Sequence, residues 1–238
     1  IARRFPWRPQ VSEARTPRDA ARLARAAVGH RLERMTGRAT LVKDPIAVFS
    51  AEWMAERFEA EIVMMVRGPV AFASSIKRLG WAFDFGSWTR QDLLMRDHLG
   101  EFADEIHRAA TDPLELLDQA ILTWNATYAY VDRMRQKHPD WHLVSYEQLA
   151  AEPRVGFEAL YATLGLQFDR RALNGVERHS AAGNVREVAA RDKGGIRRDS
   201  RAALDTWRTR LTDQEVERVV ERTGAVASRL GIAMTGAS

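Results

Sequence analysis

Residues 60–81, AEIVMMVRGPVAFASSIKRLGW, constrain the fold of this chain more than any other stretch. Residues 62–66 form an unbroken apolar run, rich in β-branched side chains and too short for a free-standing helix. This is how a strand buried on both faces reads. Arg67 closes the strand, Gly68 and Pro69 make a tight turn, and residues 70–79 have helical composition with Pro69 in the favoured first-turn position. In parallel α/β sheets, strand–turn–helix units place ligands at the carboxyl ends of the strands. There, free backbone N–H groups and the helix dipole favour an anion. Arg67 and the hydroxyls of Ser74 and Ser75 can add donors to a phosphate. A solvated Arg at a strand end and serines facing water explain the same letters, so the segment by itself leaves phosphate binding open.

The chain has 238 residues, enough for one compact α/β domain and too few for two comfortable ones. No apolar run approaches the roughly 18 residues that cross a bilayer, which predicts a protein without a membrane span. The net charge of +4 suits a polyanionic cofactor, and equally nucleic acid or an anionic surface. The charges are mixed in sign along nearly every helix, however, so a solvated exterior accounts for most of them and nucleic acid is not an expected partner. With no cysteine, disulfides, thiolate metal sites and a Cys nucleophile are excluded. A cytoplasmic enzyme is the expectation, and no signal-peptide layout opens the chain.

Ahead of the central unit, Thr16-Pro17 reads as a helix start and Gly37 as its end, with Leu23, Ala27 and Met35 in the apolar stripe. Residues 40–43 read as a short buried strand, and Asp44-Pro45 as the start of a helix through Phe58. Behind it, WAFDFGSW (81–88) carries four aromatics in eight residues, too many for one regular face. Trp81, Phe83, Phe85 and Trp88 form a candidate acceptor wall, because aromatic rings stack on flat or apolar ligands and exclude water. A loop pinned to the core by its rings is the competing explanation, and an outward loop can also pair subunits as a homodimer.

Met95, Leu99, Phe102 and Ile106 predict one long helix; Leu114, Leu117, Ile121, Trp124, Tyr128 and Val131 predict a second after Asp112-Pro113. Trp124 and Tyr128 read as packing. His98, without a partner at metal-ligand spacing, is a boundary histidine or a general base, and no metal site is expected. Residues 141–146 alternate like a strand that ends at Tyr146-Glu147. A helix over 153–164 stops at Gly165. Between residues 182 and 201 the pattern collapses into small and charged residues, as in a surface segment or in a lid that orders on an anion. Thr212 with Glu215 predicts a capping box for a last helix running to Gly231.

Four segments, taken together, resemble the PAPS-dependent sulfotransferase family in its bacterial-type form. VMMVRGPVAFASS is similar to the family segment in which an Arg follows a central strand and a Ser lies eight residues later, and Arg67 and Ser75 have that spacing. LVKDP (41–45) resembles the strand-end Lys motif, LVSYEQLAAEP (143–153) the strand with Tyr-Glu-Asp-Leu, and WRTRLT (207–212) the signature that follows the mobile loop. The resemblance covers about residues 40–230. It implies a helix-rich, P-loop NTPase-like α/β fold in three layers, α/β/α, around a parallel sheet, forming a single domain.

The resemblance further implies that Arg67 and Ser75, with Ser74 beside them, hold the 3′-phosphate of the cofactor PAPS (product PAP), with Tyr146 near the adenine. Residues 182–201 would be the cofactor lid, with Arg197, Arg198 and Arg201 competing for the same phosphate because the family's Arg-Lys-Gly does not align letter for letter. Lys43 would neutralise charge on the bridging oxygen. The family's base positions hold Pro45 and Val42 here, so Asp44 or His98 takes the acceptor's proton, and Asp44 is equally explained as a helix cap.

The Gly- and Ser/Thr-rich phosphosulfate loop of the family does not occur in these residues, and the expectation is that it precedes Ile1 in the natural protein. The expected activity is sulfuryl transfer from PAPS to a hydroxyl or amine of a small-molecule acceptor. A P-loop-like small-molecule kinase and a non-catalytic nucleotide-binding protein of the same fold are the alternatives.

Overall fold

The computed structural model describes residues 41–44, 47–186 and 197–235. The expected helix between Thr16 and Gly37 and the central part of the expected lid lie outside them. The chain divides into two compact units, residues 1–45 and 46–238. In the first, residues 41–44 are exposed and have no regular structure. The buried strand expected over 40–43 is thus not formed by the three of its residues that are described.

In the second unit, a 3-10 turn (Ala47–Ser50) leads into α1 (Ala51–Phe58), then β1 (Val63–Val66), α2 (Pro69–Leu79), α3 (Gly86–Thr89) and α4 (Asp92–Asp97). A second 3-10 turn (Gly100–Phe102) precedes α5 (Ala103–Thr111) and α6 (Leu116–Lys137), the longest described helix. Then come β2 (His142–Ser145), α7 (Tyr146–Ala151), α8 (Pro153–Thr163), α9 (Arg170–Ser180), a third 3-10 turn (Thr206–Thr209) and α10 (Asp213–Leu230). The described chain is a helix-rich α/β protein whose sheet is one parallel pair, β1 against β2, with Val63 opposite His142 and Val66 opposite Ser145.

Parallel pairing requires a crossover, and α6 supplies its return leg along the sheet. Met64 and Val66 point from β1 into a core shared with Trp124, Tyr130 and Met134 of α6 and Val226 and Leu230 of α10. On the opposite face Met65 is 51% exposed and Val63 36%. The expectation of a strand buried on both faces therefore fails. Burial along β1 alternates with the pleat, Met64 and Val66 inward and Val63 and Met65 outward.

The turn after β1 forms as its letters predict, with Pro69 in the first turn of α2 and Gly80 at φ 63° ending it. The single helix expected from Met95 to Ile106 is instead broken at residues 98–100, although Met95, Leu99 and Ile106 are all buried as the spacing requires. Gly100, with its high backbone entropy, sits at the break. α6 starts at Leu116, with Glu115 as its N-cap residue, rather than directly after Asp112-Pro113. At α10 the predicted capping box is present in both directions: Thr212 accepts from the Glu215 N–H and Glu215 from the Thr212 N–H. The same Glu215 pairs with Lys77 at 2.6 Å, which ties α10 to α2.

Candidate functional site

The carboxyl ends of β1 and β2 meet at the Arg67–Pro69 turn and the first turn of α7. Strand pairing ends at Val66 opposite Ser145, and α2 takes its first carbonyl from Gly68, which accepts from Phe72. The backbone of Arg67 falls between the two regular elements, so its polar groups need partners from elsewhere. Its N–H donates to the Tyr128 hydroxyl at 3.1 Å, and its carbonyl accepts from the Trp124 Nε1–H at 2.9 Å. The next N–H, of Gly68, donates to Glu147 Oε1 at 2.9 Å, while the other oxygen of that carboxylate accepts from the Ser145 hydroxyl at 3.1 Å. Glu147 is only 6% exposed.

Gly68 suits this crowded turn. A Cβ there would meet the Ala233 carbonyl oxygen at 3.0 Å and Glu147 Oε1 at 3.4 Å. The C-terminal segment also covers the helix start, since the Val70 N–H donates to the Met234 carbonyl at 3.3 Å. With Gly68 and Val70 engaged and Pro69 lacking a donor, the first turn of α2 is not the open cradle of N–H groups expected from the sequence. The charged donors at this edge are side chains.

Those side chains are guanidinium groups. Arg67 lies over the Tyr146 ring, its Cζ 5.0 Å from the centroid. Its Nε is buried with no hydrogen-bond partner among the described residues, and the same holds for Arg198 Nε. Burial lowers the Arg67 pKa from its ordinary value; Tyr146, Glu147 and Tyr128 push it back up, and the neighbouring Arg198 charge lowers it further. Two cations converge here with one carboxylate, Glu147, already hydrogen-bonded at both oxygens. Such an arrangement attracts a compact anion able to accept from both forks.

The three arginines of the expected lid differ in their surroundings. Arg198 reaches Arg67 because residues 197–201 return to the end of α7: its own N–H donates to the His179 carbonyl, and Ser200 Oγ donates to the Ala150 carbonyl at 2.9 Å. Arg201 instead spends its guanidinium on the Ala151 carbonyl, with contacts of 3.1 and 2.8 Å, as a C-terminal cap for α7. Arg197 is exposed. On α2, Ser74 is buried and accepts from Arg210 Nη1 at 3.4 Å, whereas Ser75 is half-buried.

The remaining candidates are dispersed. Phe85 (3% exposed) and Trp88 (8%) are core residues, packed edge-to-face on Phe83 at 4.9 and 4.6 Å. That corrects the acceptor wall for these two, because their ring surfaces are already covered. Trp81 is 63% exposed and Phe83 half-buried, and with Phe72, Ile76, Gln119 and Thr123 they line a half-open apolar cavity of about 170 Å³. The Thr123 hydroxyl is buried there without a partner among the described residues.

His98 packs between Phe49 and Tyr130, with ring centroids at 6.4 and 4.9 Å, and its carbonyl accepts from Arg133. Tyr130 and Tyr128 lie two residues apart on α6, about 200° around a helix. His98 is therefore on the far side of α6 from Arg67 and is not part of the same site. Lys43 and Asp44 belong to the other compact unit and are exposed. Among the described residues, no group of three His, Asp or Glu side chains is placed to hold a metal ion, and no helix is long and apolar enough to cross a membrane.

The family model described as "Sulfotransferase family" matches residues 2–170, well over half of the chain. The chain belongs to the sulfotransferase family. Searches of curated proteins and of solved structures returned no significant match. Within the sulfotransferase match lie Lys43, Arg67, Ser75, Tyr146 and Glu147, while Arg198 lies beyond it. Glu147, Trp124 and Tyr128 are the site residues that the sequence does not single out. Trp124 and Tyr128 carry the spacing of core packing, and Glu147 stands beside the more conspicuous Tyr146. The one available signal was positional: Glu147 follows a strand whose carboxyl end faces the β1 turn.

Proposed function

We propose that the protein is a PAPS-dependent sulfotransferase acting on a hydroxyl or amine of a small-molecule, carbohydrate or natural-product acceptor. The observation that carries this reading is the convergence of Arg67 and Arg198, each with a buried Nε that has no partner among the described residues. Two buried, unpartnered donors on neighbouring arginines fit a phosphate monoester such as the 3′-phosphate of PAPS. Ser75, eight residues after Arg67, supports the same assignment, and Tyr146, held under the Arg67 guanidinium, offers a flat apolar edge for the adenine.

When bound, PAPS would supply the sulfuryl group, leaving adenosine 3′,5′-bisphosphate as product. The residues of this chain position and neutralise. Arg67 and Arg198 fix the nucleotide end, so that binding energy far from the reacting atoms orients the transfer. From the resemblance of LVKDP to the family's strand-end Lys motif, Lys43 would neutralise charge on the leaving oxygen, and Asp44 would take the acceptor's proton. Trp81 and Phe83 hold the apolar part of the acceptor in the cavity beside α2. Replacing Lys43 with Ala tests the chemical step: turnover is expected to fall by about 100-fold or more with bisphosphate affinity retained. Unchanged turnover would remove Lys43 from the mechanism.

A further inference from the structure

We infer that Trp124 and Tyr128, one turn apart on α6, are positioning residues that aim Arg67 into the anion site. The inference rests on the reading of Arg67 as a phosphate ligand. Its basis is the place of Arg67 in the chain. It follows the last ladder residue of β1 and precedes the cap of α2, so neither element satisfies its N–H or its carbonyl. An indole N–H and a phenol oxygen from the same helix take both, at 2.9 and 3.1 Å. The peptide between Arg67 and Gly68 is held from two sides, its carbonyl by Trp124 and its N–H by Glu147.

Packing alone does not require this chemistry. Trp124 and Tyr128 pack against one another with centroids 4.8 Å apart and ring planes tilted by 43°, and two apolar rings would fill that volume equally well. Among the described residues, their polar atoms hydrogen-bond to the backbone of Arg67. A side chain with three or more free torsions binds an anion well only if its Cα and Cβ are fixed first, and here two rigid rings fix them. The burial that makes these bonds effective also shows in Tyr128, whose hydroxyl pKa is pushed up to about 12.

The test is calorimetric titration of the full chain with adenosine 3′,5′-bisphosphate and, separately, with 5′-AMP, which lacks the 3′-phosphate. It is run on the parent, Tyr128→Phe, Trp124→Phe, Arg67→Ala and the double variant Tyr128→Phe/Arg67→Ala. Tyr128→Phe keeps the ring and removes only the oxygen. It is expected to weaken bisphosphate binding about tenfold, part of the value of a charged hydrogen bond, with 5′-AMP unaffected and no further loss in the Arg67→Ala background. Trp124→Phe should repeat the pattern by freeing the carbonyl instead, so one folded variant of the two suffices. Equal losses for both nucleotides, no loss, or a full additive loss in the double variant would overturn the positioning role. If Arg67→Ala itself leaves bisphosphate affinity unchanged, the phosphate-ligand reading fails first, and the inference with it.

Discussion

Replacing Glu147 with Ala should damage the protein twice over, and the two effects can be read separately. The carboxylate is 6% exposed, and its two oxygens accept from the Gly68 N–H at 2.9 Å and the Ser145 hydroxyl at 3.1 Å. Removing it leaves the Gly68 N–H without its side-chain acceptor. An unsatisfied buried donor costs about 1–3 kcal/mol and the lost Ser145 bond about 1 more, giving a destabilisation of about 3 kcal/mol. For a chain of this size that lowers Tm by about 6–12 °C, readable by calorimetric or dichroism melts. Glu147→Gln separates charge from hydrogen bonding. It keeps an oxygen for Gly68 and should cost about 1 kcal/mol or less. By removing the carboxylate that competes for Arg67, it should strengthen bisphosphate binding several-fold. If Glu147→Ala melts within 2 °C of the parent, or Glu147→Gln weakens the bisphosphate, the assignment of Glu147 as clamp and counter-charge is refuted.

The two arginines of the 197–201 return should behave differently. Arg198→Ala is expected to lower bisphosphate affinity by about 2 kcal/mol, whereas Arg201→Ala, which loses bonds to the Ala151 carbonyl, should alter stability slightly and affinity little; titration calorimetry distinguishes them. Trp88→Ala should cost about 3–5 kcal/mol as a core deletion, while Trp81→Ala should stay within about 1 kcal/mol, both by denaturant unfolding. Stability should also decline at both ends of the pH scale. Burial raises the phenols of Tyr128 and Tyr130 to about 12, so stability present below their unfolded value is lost as pH rises from about 10 toward 12. Hydrogen bonds from Lys137 and then His138 lower the Glu52 carboxyl, and that contribution is lost as pH falls through its depressed value. Melts of Tyr128→Phe should show a smaller alkaline loss.

The β1–turn–α2 unit was legible because every letter from Ile62 to Leu79 agrees on one outcome: an apolar β-branched run, then Gly-Pro, then helix formers. The α10 capping box was legible for the same reason, since Thr212 and Glu215 satisfy each other locally. What the letters did not carry is non-local. That Met65 faces outward depends on which layers cover the sheet, and that Phe85 and Trp88 turn inward depends on Phe49 and Leu99 arriving from elsewhere in the chain. The occupied N-terminus of α2 depends on Glu147 and Met234, far from it in sequence. The polar ends of Trp124 and Tyr128 lie beyond a periodicity reading, because spacing reports which face a ring is on and not what its heteroatom touches.

The claim that most needs a measurement is that the Arg67–Arg198 site takes the 3′-phosphate of a sulfuryl-donor nucleotide. Calorimetric titration of the full chain with adenosine 3′,5′-bisphosphate, with magnesium ATP as the control, addresses it directly. Selective micromolar or tighter binding of the bisphosphate (about −8 kcal/mol or better), abolished in the Arg67→Ala/Arg198→Ala double variant, is the predicted result. Preference for ATP, or bisphosphate binding that survives loss of both arginines, would contradict it.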